Sequence, residues 1–287
     1  MPTPTFQGLR VLALESRRAT EMAALISNYG GRALVAPALR EVPLASNTEA
    51  LDFAAALLRD EFDIVIFLTG VGTRALTDVV ARAHSREAFV AALGRTKVVA
   101  RGPKPLAVLR ELQVPVWVSV PEPNTWRELL AALDARGEER ALEGARVAVQ
   151  EYGVSNVELL DALRARGARV VRVPVYRWAL PEDVAPLKAA VAALAHGEVD
   201  VACFTTSVQV VHLWQIAEEL RLADDIRREL GRAVIASIGP TTSEELRRHG
   251  LTADLEPSHP KLGVLVREAA ERSAGLLLAK RSSGGST

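Results

Sequence analysis

With 287 residues, 49% of them apolar and 24% charged, the chain is long enough for two domains with cores of their own and has the composition of an ordinary globular protein. Its formal net charge of zero excludes a global electrostatic reason to bind nucleic acid or an anionic membrane. The single cysteine, Cys203, excludes an intramolecular disulfide and any multi-cysteine metal site; it sits in a strand-like apolar run, where a small buried thiol is expected.

Met1 to Gln7 lacks the charged and apolar regions of a signal peptide, and no apolar run approaches the ~18 residues of a membrane span, so a cytoplasmic protein is expected. Val11 to Leu14 reads as a buried strand. A helix over about 21–29 follows, stopped by Gly30, and then a strand over 32–37. Strands are expected at Ile64–Phe67, Lys97–Ala100 and Val116–Val118, with a helix from the Gly102-Pro103 turn to Leu112. A further helix, Trp126–Arg136, is capped by Thr125 with Glu128. The pattern then returns: strand Arg146–Val149, a helix from Asn156 with Ser155 and Glu158 as its capping box, Gly167 as its stop, and strand Arg169–Val175. Strands Val201 onward, Val234–Ser237 and Ala253–Leu255 follow, with a helix from Gly239-Pro240 to His249, capped by Thr241 with Glu244. The last helix is expected over Leu262–Arg272, with a disordered Ser/Gly-rich tail at 281–287.

This return is a repeat with one offset. Asp63 and Asp200, Gly102 and Gly239, and Gly30 and Gly167 are each 137 residues apart. Three separated matches at one spacing predict two similar α/β units. Strands alternating with helices predict parallel sheets covered on both faces, which bind ligands at the carboxyl ends of their strands. Those ends are Thr69-Gly70-Val71-Gly72, Arg101-Gly102-Pro103-Lys104, Thr205-Thr206-Ser207 and Gly239-Pro240-Thr241-Thr242, all small, polar or glycine-rich. The helix amino termini that follow suit carboxylates or phosphates. The threonines there are equally suited to capping their own helices. Function is expected in a cleft between the two units. The first copy's turn is cationic through Arg101 and Lys104, where the second has Ile238 and Thr241. Arg17, Arg18 and Arg74 flank other strand ends.

The usual catalytic signatures are missing: no phosphate-binding loop, no nucleophile elbow, no His-Glu-x-x-His helix. The dinucleotide glycine fingerprint is absent too, with Leu14-Glu-Ser-Arg-Arg18 in its place. The five histidines show no metal-ligand spacing, and His196 and His249 read as helix-end residues. No cofactor or metal is implied.

Phe67-Leu-Thr69 after Asp63, Ile238-Gly-Pro-Thr-Thr-Ser-Glu-Glu-Leu246 followed by Gly250, and Gly167 with Val173-Pro-Val-Tyr-Arg177 resemble the uroporphyrinogen-III synthase family. The resemblance covers about residues 8–270. It implies two flavodoxin-like parallel-sheet domains joined by a two-stranded hinge. One domain is 1–38 with 179–270 and the other 45–171, with hinge strands near 39–44 and 173–178. From the residues alone, tandem units of about 8–137 and 144–275 fit equally well.

The family cyclises the linear tetrapyrrole hydroxymethylbilane, releasing water and inverting the last pyrrole ring, with no cofactor. The resemblance therefore implies a small-molecule polyanionic substrate; the zero net charge points to no nucleic-acid or membrane partner, and a cleft that must open and shut suits a monomer. Tyr176 matches the family's Val-Tyr tyrosine and is the expected proton donor to the leaving hydroxyl. Thr69, Thr241 and Thr242 with the adjacent turn backbones (Gly70, Val71, Arg101, Gly102, Lys104, Thr205, Thr206, Ser207 and Gly239) are the expected substrate contacts. Gly70 and Thr206 depart from the family's usual serine, and Lys104 and Pro105 from its threonine turn, which shifts binding toward backbone amides. Two alternatives stay open: a non-catalytic two-lobed small-molecule binding protein, and a nucleotide-sugar enzyme with two Rossmann-like domains. The first lacks a visible signal peptide or basic DNA-binding segment, the second a diphosphate-gripping glycine loop.

Overall fold

The repeated strands form two parallel sheets, yet each sheet draws strands from both copies of the repeat. The computed structural model describes residues 4–44, 47–136, 142–151, 153 and 155–283. In chain order it contains β1 (Arg10–Ala13), α1 (Ala19–Asn28), β2 (Arg32–Val35), β3 (Arg40–Pro43), α2 (Thr48–Leu58), β4 (Ile64–Phe67), α3 (Gly70–Val80), α4 (Arg86–Gly94), β5 (Lys97–Ala100), α5 (Pro103–Glu111), β6 (Val118–Ser119) and α6 (Trp126–Asp134). It continues through β7 (Arg146–Glu151), α7 (Val157–Ala165), β8 (Arg169–Pro174), β9 (Tyr176–Ala179), α8 (Ala185–Ala195), β10 (Val201–Phe204), α9 (Ser207–Glu219), α10 (Ala223–Arg232), β11 (Val234–Ser237), α11 (Pro240–Arg248) and α12 (Leu262–Ser283).

Two compact units result. One comprises Met1–Arg40 with Ala179–Thr287, the other Glu41–Trp178. The first unit's sheet has the order β11-β10-β1-β2, and the second's the order β6-β5-β4-β7-β8. Strands β3 and β9, within which the chain passes from one unit to the other, pair as a two-stranded sheet. Val173 and Pro174, expected in the second linking strand, belong instead to β8, which pairs along its whole length with β7. The linking strand starts only at Tyr176.

Each central strand is apolar on both faces because both faces are covered. In the second unit Val65, Phe67, Val98, Ala100 and Ala148 join α2, α3, α4 and α5 residues in one core, while Ile64, Ile66, Val99, Val147 and Val149 join α6 and α7 residues in another. The first unit repeats this. Leu12, Ala202, Phe204 and Ile235 pack with residues of α8, α9, α10 and α11; Val11, Ala13, Val201, Cys203 and Val234 pack with α1 and α12. Burying one such side chain contributes roughly 1.5–3 kcal/mol. The buried Cys203 thiol is pushed up to about 12 by desolvation alone, which makes it an inert core group.

Gly30 and Gly167 follow their helices at φ +69° and +86°, as helix-stopping glycines should. Thr125 and Glu128 form the expected capping box on α6. Thr125→Ala should cost about 1 kcal/mol, read as a lowered urea midpoint at unchanged slope.

Other local expectations fail for identifiable reasons. Asn156, not Ser155, caps α7, its Oδ1 accepting from Leu159 N at 2.8 Å, while Ser155 Oγ donates to Glu151 at 3.0 Å. Pro240 takes the first helical position of α11, so the N-cap falls on Gly239 and Thr241 lies inside the helix rather than capping it. The strand expected at 116–118 is displaced to Val118–Ser119. At 253–255 only an Ala236–Leu255 bridge forms, where Asp254 turns its carboxylate onto Ile235 N at 2.8 Å. The last helix runs past Arg272 to Ser283, so residues 281–283 are helical and not a loose tail; 284–287 lie outside the described residues. Tertiary anchors override the local composition there. Lys280 Nζ reaches Ala233 O at 2.7 Å and Asp254 at 2.6 Å, and Arg281 reaches Asp200 at 2.9 Å.

Candidate active site

In each unit the strand order changes direction at one place: between β1 and β10 in the first, between β4 and β7 in the second. Crevices at such switch points, at the carboxyl ends of the strands, are where α/β sheets bind ligands. The two units build theirs from the same hydrogen bonds. Arg101 N donates to Phe67 O at 3.0 Å and Ile238 N to Phe204 O at 2.9 Å, so β5 and β11 deliver their Gly-Pro turns beside β4 and β10 alike.

On the second unit, Thr69 caps α3 with a hydroxyl that accepts from Gly72 N at 3.0 Å. Gly70 is buried, and a Cβ there would stand 2.7 Å from Lys104 O, so α3 and α5 begin in backbone contact. Val71 is exposed and Lys104 is exposed; Arg101 is half-buried and Gly102 buried. Arg74 pairs with Glu111 at 2.7 Å. Beneath the α3 turn lies Gln150, fully buried at the end of β7; a Cβ on Gly72 would come within 2.1 Å of its Nε2. Next to it, Glu151 accepts from Arg172 Nε at 2.8 Å.

On the first unit, Thr206 is the N-cap residue of α9 but makes no capping bond with its hydroxyl. Thr205, Thr206 and Ser207 are half-buried. Thr205 is fully engaged: its hydroxyl donates to Glu15 Oε2 at 2.6 Å and accepts from Gln209 Nε2 at 2.8 Å, while its amide donates to Gln209 Oε1 at 2.8 Å. At the neighbouring turn Gly239 is buried, Thr241 exposed and Thr242 buried. Below it Ser243 Oγ lies 2.8 Å from Ser237 Oγ and 2.5 Å from Glu256.

Tyr176 opens β9 and is 5% exposed, packed in the core of the second unit with its ring edge-on to Trp178 at 5.7 Å. Sequence reasoning missed Glu15, Gln150, Gln209 and the Ser237–Ser243–Glu256 cluster. The segment Leu14 to Arg18 carried the one usable signal, a carboxylate directly after the first strand.

The four helices share one feature of their own sequence, although carboxylates from outside the helix reach two of them, Glu15 at Thr205 before α9 and Glu256 at Ser243 in α11. Helices α3, α5, α9 and α11 carry no acidic residue in their first turns. By contrast α1, α2, α4, α6, α7 and α10 do, α8 and α12 being the other two without. An amino terminus without its own carboxylate leaves its positive pole and free amides for an anion. Among the described residues there is no cluster of three or more His, Cys, Asp or Glu suited to a metal ion, and no helix is long and apolar enough to cross a membrane.

These features define a two-unit α/β protein with parallel sheets and helix amino termini at the strand ends. A family model described as "Uroporphyrinogen-III synthase HemD" matches residues 20–267, and the chain belongs to that family. A Bacillus subtilis protein, "Uncharacterized protein YjjA", is 30% identical over 265 residues, covering 92% of this chain and 96% of its own. The crystal structure of a mutant uroporphyrinogen III synthase from Thermus thermophilus aligns with a TM-score of 0.72 at 26% identity, over 94% of this chain and all of that one. A uroporphyrinogen-III synthetase from Helicobacter pylori shares the fold at 14% identity and a TM-score of 0.50, over 91% of this chain and 98% of its own.

Proposed function

We propose that the protein converts hydroxymethylbilane to uroporphyrinogen III, releasing water and inverting the terminal pyrrole ring. The observation that carries this reading is the set of four helix amino termini at sheet carboxyl ends, all free of first-turn carboxylates. The substrate presents many carboxylates on a flexible chain, and main-chain amides at fixed positions can hold them without reorganising. Loss of the hydroxyl leaves an electrophilic carbon that a substrate pyrrole attacks, so the protein's work is to bring the correct pyrrole carbon within bonding reach. Gly70, Val71, Arg101, Gly102 and Lys104 of one unit, and Thr206, Ser207, Gly239 and Thr241 of the other, are the proposed contacts. Thr205 serves by shaping its turn, since its hydroxyl both donates and accepts within the protein, whereas Thr69 accepts from Gly72 N and keeps a hydroxyl proton to offer a substrate carboxylate. Thr242 lies beneath the surface and supports α11.

Tyr176 remains the proposed proton donor. Tyr176→Phe removes one hydroxyl from a packed ring, so folding should be kept and kcat should fall roughly 10-fold or more if the phenol supplies the proton. Incubating the purified chain with freshly generated hydroxymethylbilane, oxidising, and resolving isomers I and III tests the whole reading. Isomer III is expected. Isomer I alone, the spontaneous product, ends the proposal; a Tyr176→Phe variant with unaltered kcat removes Tyr176 from the chemistry.

A further inference from the structure

Hydroxymethylbilane needs two opposite kinds of partner. Its carboxylates need donors, which the turns supply, but its pyrrole N–H groups need acceptors. Ionisation also creates positive charge. The nitrogen's electron pair moves toward the exocyclic carbon, the C–O bond breaks, the oxygen leaves as water with one proton from a donor acid, and the ring becomes an azafulvenium cation. A carboxylate placed against that ring stabilises the cation more than the neutral substrate, which is what accelerates a step.

Resting on the reading above, we propose that Glu15 is that carboxylate, accepting the N–H of the ionising pyrrole. It stands just past the end of β1, at the switch point of the first unit's sheet. Its aim is set by a chain of bonds. The Thr205 hydroxyl donates to Oε2 at 2.6 Å, and Gln209, 1% exposed, holds Thr205 through both its amide and its hydroxyl. Just past the end of β10, the loop into α9 therefore spends its first hydroxyl on orienting a carboxylate rather than on a substrate anion. The other oxygen of Glu15, Oε1, accepts from Arg18 N at 3.4 Å, while the Arg18 guanidinium, which also feels the charge of Glu15, donates its hydrogen bonds to Glu21. The equivalent strand of the second unit, β7, ends in Glu151, but that carboxylate is 4% exposed and paired with Arg172. The two copies have thus diverged: a neutralised buried glutamate in one, a half-exposed oriented one in the other.

The test uses the full chain, hydroxymethylbilane generated in situ, and isomer analysis. Glu15→Gln should lower kcat about 100-fold with KM within about threefold, because the lost interaction forms with the cation and not with bound substrate. Thr205→Val keeps the carboxylate but not its orientation and should lower kcat about 10-fold, with Thr205→Ser restoring it. A folded Glu15→Gln with kcat within twofold of the parent, or a loss confined to KM, overturns the assignment. Should that variant fail to fold, unchanged kcat in Thr205→Val overturns it instead. A parent chain yielding only isomer I rejects the proposed function itself, a result separate from either of these.

Discussion

Gly70→Ser should destabilise the protein by about 2–3 kcal/mol and abolish most of its activity, although serine is the residue the family resemblance leads one to expect there. The Cβ of any side chain at 70 would stand 2.7 Å from the carbonyl oxygen and 3.0 Å from the carbonyl carbon of Lys104. These are backbone atoms in the first turn of α5, so relief requires the two helices to part. Gly70 φ is not in the left-handed region, so the requirement is for space and not for an unusual backbone. Parting α3 from α5 would displace both amino termini that the proposed function assigns to substrate carboxylates. Thermal unfolding should show the loss as a drop on the order of 4–10 °C. An unchanged midpoint would show that the helices separate at no cost, and would remove this explanation of the glycine.

Asp200→Asn should cost about 2–3 kcal/mol and flatten the acid dependence of stability. Asp200 ties three segments: it accepts from Arg10 N at 2.9 Å and Arg10 Nε at 3.0 Å, and from Arg281 at 2.9 Å. The Arg10 hydrogen bond, opposed by desolvation, holds its carboxyl at about 2. A folded-state value below the unfolded one means that stability is fully present above about pH 4 and lost as pH falls toward about 2. After allowance for solvent around the arginines, the loss is about 1–2 kcal/mol. In denaturant titrations the gap between parent and variant should be clearly smaller at pH 3 than at pH 7, without closing, because Asp200 is still largely ionised in the folded state at pH 3; an equal gap at both values would refute the linkage. Its counterpart Asp63 accepts from Arg146 N at 2.8 Å but is exposed, so Asp63→Asn should cost well under 1 kcal/mol.

Much of the candidate site could be read without coordinates because it rests on short-range rules. Gly-Pro turns after apolar strands place helix starts at sheet ends wherever the sheet goes. Thr69 as a cap is legible for the same reason. What was not legible depends on partners far along the chain. Nothing local distinguishes Thr69, whose hydroxyl accepts from its own helix, from Thr205, whose hydroxyl donates to Glu15, 190 residues away. Nor does a lone glutamate after the first strand announce that it faces the end of β10.

The repeat, the parallel α/β class, the central strands β1, β4, β5, β7, β10 and β11 and the glycine helix stops follow from the residues, since apolar periodicity and positive-φ glycines act over a few residues. Which strands pair did not. Tandem and crossed arrangements bury the same apolar faces, and the hydrophobic effect has no direction with which to choose a neighbour. Only in three dimensions does β1 take β10 at its side, and β7 take β4, through registered backbone hydrogen bonds that join the first copy of the repeat to the second.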